Sequence, residues 1–76
     1  MQDKLILIRK KTGTSQEKMA KLLGINPKTY SYKELGKNEF SMNEMFKIAK
    51  YFNMHIEDIF LPSLLQNGVK SKKEIQ

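Results

Sequence analysis

The stretch SQEKMAKLLGINPKTYSYKELGK, residues 15–37, decides the fold of this 76-residue chain. It holds two short segments with the apolar spacing of α-helices and a turn between them. Gly24 is expected to end the first segment, because glycine reaches the left-handed conformation of a helix C-terminus without a Cβ penalty. Asn26 and Pro27 open the second segment as a side-chain cap followed by a first-turn proline. The stretch therefore predicts two consecutive helices joined by a tight turn.

Three further helices are predicted around this pair. A capping box beginning at Ser41 opens the most regular of them, and the last is expected to stop before Pro62. No segment alternates at the period of a β-strand for long enough to predict one. We therefore expect a compact all-α domain over residues 1–65, followed by a polar, lysine-containing, disordered tail over residues 66–76. The expected helices are Gln2 or Asp3 to Thr12, Ser15 to Leu23, Pro27 to Leu35, Ser41 to Phe52 and Ile56 to Phe60.

Composition narrows the classes of partner and chemistry. The chain has 14 Lys and Arg against 8 Asp and Glu, a net charge of +6 and a pI near 9.7, which favours a polyanionic partner. It has no Cys and one His, so zinc sites built from these residues and a Cys nucleophile are excluded, and no metal or cofactor is expected. The longest apolar run, Leu5–Ile8, is far shorter than the roughly 20 residues that span a bilayer. We expect a cytoplasmic protein with no membrane partner.

The quoted stretch resembles the helix-turn-helix of the phage Cro and repressor family, also called the XRE family, which includes the lambda and 434 repressors. The glutamine, small residue and turn glycine of the family stand here as Gln16, Ala20 and Gly24. ELGK, residues 34–37, and MFKIAKYFNMHIEDIF, residues 45–60, resemble the family's later segments. The resemblance implies a five-helix lambda-repressor-like fold and a DNA-binding regulator in the cytoplasm of a bacterium or a phage-infected host.

Three positions depart from the family pattern. Lys33 replaces a residue that is usually apolar, Thr14 replaces a usual leucine, and His55 stands where a Ser or Thr cap is common. These departures leave the predicted fold intact. They raise the question of how the domain packs around Lys33.

The second helix of the motif is predicted to lie in the major groove of double-stranded DNA and to read base edges. Its candidate base-reading residues are Lys28, Thr29 and Tyr32, which follow one another at i, i+1 and i+4. A lysine donates to guanine O6 and N7, and a threonine can bond to a base or touch a thymine methyl group. The alternatives are a solvated surface lysine at Lys28 and an ordinary surface aromatic at Tyr32.

A second set of polar residues is expected to contact the DNA backbone. Gln16 begins the first motif helix, where the resemblance implies a phosphate contact, although it could be only a first-turn residue. Lys37 could likewise be an ordinary solvated lysine. The predicted backbone set is Gln16, Asn26, Ser31, Lys37 and Asn38.

Other residues are expected to serve the fold. The resemblance implies an ion pair between Arg9 and Glu34 that fixes the first helix to the third. Tyr30 lies on the same helix face as Glu34 and is expected in the core. The methionines at helical spacing are also expected in the core, and they are Met19, Met42, Met45 and Met54.

One recognition helix reads few base pairs, so a homodimer on two half-sites about 34–36 Å apart is expected. The late apolar residues are candidates for the dimer interface, with Ile6 or Leu7 as additions. The alternative is that Leu64 and Leu65 fold back onto the first helix. The candidates are Phe60, Leu61, Leu64 and Leu65.

These features predict a sequence-specific transcriptional regulator that occupies an operator and takes no small-molecule ligand. A restriction–modification controller protein or an antitoxin would use the same domain. A protein-interaction module that keeps the fold is the alternative from another class. The sequence has no nucleophile paired with a base and no metal-binding cluster, so nothing in it indicates an enzyme. The lysines do not line one amphipathic face, which disfavours a peptide that binds a membrane surface.

Overall fold

A computed structural model describes residues 1–64 of the chain, with side chains described for residues 1–60. These residues form five α-helices and no strand, which confirms the predicted all-α, lambda-repressor-like architecture. The expected tail over residues 66–76 lies outside the described residues. The helices are α1 (Asp3–Lys11), α2 (Gln16–Leu23), α3 (Pro27–Leu35), α4 (Met42–Phe52) and α5 (Ile56–Leu64).

Side-chain caps set the first residues of three helices. The hydroxyl of Ser15 accepts a hydrogen bond from the backbone amide of Lys18, so α2 begins at Gln16. Thr14, just before this cap, is buried, and its hydroxyl lies 2.8 Å from that of Thr12. The side chain of Asn26 caps α3, and the full capping box predicted at the start of α4 is present.

Left-handed residues directly follow α2, α3 and α4 and set the sharp turns after these helices. Gly24, which follows α2, has φ +71°, and the next amide donates to the carbonyl of Ala20 at 3.0 Å. Gly36 has φ +91° after α3, while Asn53 plays the same part after α4 with φ +57°. The turn inside the α2–α3 motif therefore has the geometry that the sequence predicts.

A single apolar core lies between the helices. Tyr30, Phe40 and Phe60 pack edge to face in series, with ring centroids 5.8 and 5.5 Å apart. The buried apolar residues are Leu5, Met19, Ala20, Leu23, Tyr30, Phe40, Met45, Ile48, Ala49, Ile59 and Phe60.

The expectation that four methionines lie in the core is wrong for two of them. Met42 is 50% exposed and Met54 is 37% exposed. The buried face of α4 is centred on Met45 and Ile48, and Met42 falls on its flank. Met54 follows the end of the helix, where the helical period no longer places side chains.

The end of α5 also differs from the predicted one. The sequence predicts that the helix stops at Phe60, but helical backbone continues to Leu64 after a break at Phe60, where φ is −115° and ψ is 17°. Proline removes an amide donor and its ring clashes with the carbonyl four residues earlier, so Pro62 accounts for the break. Proline is tolerated in the first turn of a new helical segment, which allows the helix to resume.

A buried carboxylate joins the first three helices. Glu34 of α3 is 2% exposed. The guanidinium of Arg9 donates to both of its oxygens, at 2.7 and 3.2 Å. The side-chain amide of Gln16 donates to it at 2.9 Å and the hydroxyl of Tyr30 at 2.7 Å. Arg9 also donates to the backbone carbonyl of Thr14 at 3.0 Å, which ties the α1–α2 connection to the same cluster.

The cluster keeps Glu34 ionised. Burial acts to raise the pKa of its carboxyl, but the hydrogen bonds from Arg9, Tyr30 and Gln16 outweigh burial, so the pKa lies below its ordinary value. The hydrogen bond to Glu34 raises the pKa of Arg9 in turn. Burial, followed by the hydrogen bond to Glu34, raises the pKa of the Tyr30 hydroxyl. The cluster therefore holds a paired carboxylate and guanidinium beside a neutral phenol.

Alanine substitutions at two turn glycines should separate backbone strain from steric contact. A Cβ at Gly24 would meet nothing within 4 Å. Gly24→Ala should therefore lower the free energy of unfolding only by the cost of the left-handed conformation, about 1–2 kcal/mol. A Cβ at Gly36 would lie 3.1 Å from the backbone nitrogen of Met1, so Gly36→Ala should lower the free energy of unfolding more than Gly24→Ala does. Urea unfolding measures the stability of both variants. Gly24→Asn is the control, because asparagine tolerates the left-handed conformation better than alanine does. Equal losses of stability for Gly24→Ala and Gly36→Ala would contradict the steric contribution at Gly36.

Acid should weaken the domain through Glu34. Its pKa is lower in the folded chain than in the unfolded one, so its charge stabilises the fold at neutral pH. This contribution is lost as the pH falls below the ordinary value of 4.5 and through the folded-state pKa. Glu34→Gln should cost about 3 kcal/mol at pH 7, because it leaves Arg9 without its countercharge.

Urea unfolding of the wild type and Glu34→Gln between pH 7 and pH 3 tests this. The variant should lose less of its unfolding free energy over this range than the wild type loses. Glu17→Gln, at an exposed glutamate of α2, is the control and should change stability by less than about 0.5 kcal/mol. Identical pH profiles for the wild type and Glu34→Gln would contradict the assignment.

Candidate nucleic-acid interface

Helix α3 has a buried and an outward side. Tyr30 and Glu34 are buried, and Lys28 and Tyr32 project from the opposite side of the helix. Lys28 is exposed, Tyr32 is 37% exposed and Thr29 is half-buried on the flank. The structure thus leaves all three candidate base-reading side chains with accessible surface on one helix.

The candidate backbone residues near the end of α3 lie together. The ammonium of Lys37 lies 5.3 Å from the centre of the Tyr32 ring, a cation–π contact. The amides of Lys37 and Asn38 both donate to the carbonyl of Tyr32, at 2.9 and 3.4 Å. The turn after α3 therefore places one exposed cation directly beside a candidate base-reading ring.

Two other candidate backbone residues already have structural bonds. The Gln16 amide donates to Glu34, which leaves its carbonyl oxygen and second amide hydrogen for other partners. The Asn26 side-chain oxygen accepts from the amide of Lys28 at 2.8 Å and is committed to capping α3. Ser31 is half-buried, one residue before Tyr32. Each of these side chains keeps some donor capacity, but the side-chain oxygen of Asn26 is already used to cap α3.

The charge of Lys33, at a position that is usually apolar, is paired within the domain. Its ammonium bonds to a Glu44 carboxylate oxygen and to the carbonyl of Glu39, both at 3.0 Å. It also lies 5.9 Å from the centre of the Phe40 ring, and the Lys33 side chain is only 15% exposed. Burial acts to raise the pKa of Glu44, but hydrogen bonds from the Ser41 backbone and from Lys33 leave it lowered. Lys33 thus connects α3 to α4.

The surface of the motif is strongly positive. Within residues 15–37, Glu34 is neutralised by Arg9 and Lys33 by Glu44. The exposed charges left are Glu17 and four lysines, namely Lys18, Lys21, Lys28 and Lys37. A polyanion approaching α2 and α3 therefore meets a surplus of positive charge.

The prediction that Phe60 contributes to a dimer interface is wrong. Its side chain is fully buried against Phe40, so it has no surface to offer a second copy. The side chains of Leu61, Leu64 and Leu65 lie outside the described ones. Of the two added candidates, Leu7 is 59% exposed and Ile6 is half-buried.

Sequence reasoning missed three features. Exposed Phe46, the burial of Thr14 and the Lys33–Glu44 pair were not expected. The pair joins residues 11 apart on different helices, so no local spacing reports it. In the described part of the chain, no helix is both long and apolar enough to cross a membrane, and no group of three or more His, Asp or Glu side chains could hold a metal ion.

Comparisons with known proteins identify relatives of this chain. The family model described as helix-turn-helix matches residues 5–59. An uncharacterised HTH-type transcriptional regulator of Methanocaldococcus jannaschii is 43% identical over 61 residues, covering 80% of this chain and 92% of the relative. Two uncharacterised HTH-type transcriptional regulators of Archaeoglobus fulgidus are each 38% identical over 61 residues, covering 80% of this chain and 87% and 86% of the relatives. No solved structure gives a significant match.

The matched residues contain α2 and α3 in full, together with the outward side of α3 and the buried Glu34 cluster. The relatives are matched over nearly their whole length, so the similarity is not confined to a fragment of them. The chain belongs to the Cro/C1-type helix-turn-helix family of DNA-binding transcription regulators.

Proposed function

We propose that the chain is a sequence-specific regulator that occupies an operator in double-stranded DNA as a homodimer, with α3 in the major groove. The observation that carries the proposal is the outward side of α3, where Lys28 and Tyr32 project opposite the buried Tyr30 and Glu34. A recognition helix needs such a side, because only side chains clear of the core can reach base edges.

The three base-reading residues have different roles. Lys28 lies in the first turn of α3 and donates to guanine O6 or N7. Thr29 bonds to a neighbouring base or packs on a thymine methyl group. Tyr32, one turn further along, presents both a ring and a hydroxyl at the far end of the contact.

Backbone contacts orient α3 in the groove. Gln16 begins α2, where amide groups favour an anion, and its bond to Glu34 fixes the rotation of its side-chain amide. Lys37, Asn38 and Ser31 supply further donors around the end of α3. Asn26 adds only its amide hydrogens, because its oxygen caps the helix. These contacts position the protein without reading sequence.

Two-fold assembly gives the protein its operator specificity. A single recognition helix reads a short half-site, and a dimer reads two half-sites about 34–36 Å apart in one face of the duplex. Regulation then follows from occupancy of the operator in the cytoplasm, with no small-molecule ligand.

Selection of bound sites from random duplex DNA, repeated at two salt concentrations, tests the proposal. It should return an inverted repeat whose half-sites are separated by one helical turn. Recovery of no preferred sequence at either salt concentration would overturn sequence-specific binding and favour a protein-interaction module that keeps the fold.

Alanine variants should separate base reading from backbone attraction. Lys37→Ala should weaken binding to all sequences alike and reduce the salt slope by about 1, because it removes one phosphate contact. Lys28→Ala should cost about 1–3 kcal/mol on the preferred site only. Fluorescence anisotropy on the selected site and on random duplex measures both losses.

Lys47→Ala, at an exposed lysine of α4, is the matched control for loss of one positive charge. It should leave the preference for the selected site over random duplex unchanged. Equal losses on the selected site and on random duplex are expected for Lys37→Ala; the same result for Lys28→Ala would refute the division of roles.

A further inference from the structure

Helix α4 carries an apolar flank that the core does not use. Phe46 is 57% exposed and Met42, one turn earlier, is 50% exposed. Side chains four residues apart on a helix are neighbours, so the two form one strip along α4. Met54, 37% exposed, follows the helix. Large side chains of this kind grouped together on a small domain indicate an interaction surface.

A cleft adjoins this strip. It has a volume of about 440 Å³ and lies where α4 meets the start of α5. Phe46 and Met54 line it together with half-buried Ile56. The same surface therefore presents a protruding ring and an apolar recess that adjoin each other.

The edge of the cleft carries charges of both signs. Lys50 of α4 and Glu57 of α5 both line it and both are exposed. DNA would not favour this face, because it combines a carboxylate with exposed apolar side chains. A surface with a ring, a recess, a cation and an anion has the complementary features needed to pair with itself under a two-fold axis.

We propose that the face formed by Met42, Phe46, Lys50, Met54 and Glu57 is where a second copy of this chain docks. The ring of Phe46 in each copy covers the cleft of the other, and Lys50 of each copy faces Glu57 of its partner copy. The inference rests on the proposed function in one respect, the homodimer, and it places the interface on α4 and the start of α5 instead of on Phe60.

Opposite charge reversals in two separately purified 76-residue chains test this pairing. In a dimer of Lys50→Glu chains, two carboxylates face each other at both of these contacts. In a dimer of Glu57→Lys chains, two ammonium groups do. Each variant alone should dimerise at least about tenfold more weakly than the wild type, because like charges face each other across the interface. Mixed together, they restore both opposite-charge contacts, and the heterodimer should form within about threefold of the wild-type dissociation constant.

Sedimentation equilibrium of each variant and of the equimolar mixture gives these constants, and native mass spectrometry identifies the mixed species. A pair formed within one chain cannot be rescued by mixing, so rescue identifies a contact between copies. Lys47→Glu, which makes the same charge change elsewhere on α4, is the control. Mixed with Glu57→Lys it restores only one of the two opposite-charge contacts, so this heterodimer should form more weakly than the one between Lys50→Glu and Glu57→Lys.

A second variant tests the apolar part of the face. Phe46→Ser should abolish the dimer and leave the melting temperature of the monomer unchanged, because Phe46 is not in the core. Two results together would overturn the proposal: a lower melting temperature for Phe46→Ser, and a wild-type chain that is monomeric even on DNA. They would show that the chain's own later residues cover the face. Failure of the mixture to restore dimers, with a dimeric wild type, would also overturn it.

The DNA-binding proposal is judged separately. Phe46→Ser should bind a duplex with one half-site as the wild type does, and should lose the tighter binding to two half-sites. A wild-type chain that dimerises through this face and binds no duplex would refute the proposed function alone. A Phe46→Ser chain that still binds two half-sites as tightly as the wild type would refute the interface alone.

Discussion

A carboxylate placed inside the domain governs the arrangement of its first three helices. A buried charge is costly unless it is paired and its oxygens are hydrogen-bonded. Glu34 meets that condition only where Arg9 of α1, Gln16 of α2 and Tyr30 of α3 reach it together. Apolar packing alone tolerates small shifts between helices, whereas this cluster does not. This requirement constrains the orientation of α3, and with it the direction of its outward side chains.

A second ion pair holds the other flank of α3. Lys33 bonds to Glu44 in the capping box of α4, so α3 is joined by charge to helices on both sides. None of these bonds uses the side chains of Lys28 or Tyr32 on the outward side. The residues that hold the helix and the residues that would read DNA are therefore separate sets. Sequence preference can change through the outward set without altering the frame that supports it.

Local chemistry made most of the helices predictable, because caps such as Ser41 and left-handed residues such as Gly24 act within a few positions of the chain. The outward placement of Lys28 and Tyr32 followed from helical periodicity in the same way. Contacts between distant elements were less accessible: nothing near Lys33 reveals Glu44, and periodicity alone did not separate buried Met45 from exposed Met42. The misplaced interface residue, Phe60, shows that an apolar side chain late in a chain can as easily complete the core.

The stack of Lys37 on Tyr32 has a consequence for how affinity and selectivity are linked in the proposed complex. In that complex one ammonium would contact both the Tyr32 ring and a phosphate. The ring that contacts bases would then also hold the cation that contacts the DNA backbone. A substitution at Tyr32 would alter the number of ions displaced on binding as well as the preferred base, so the ionic strength of the surroundings becomes part of what the protein recognises.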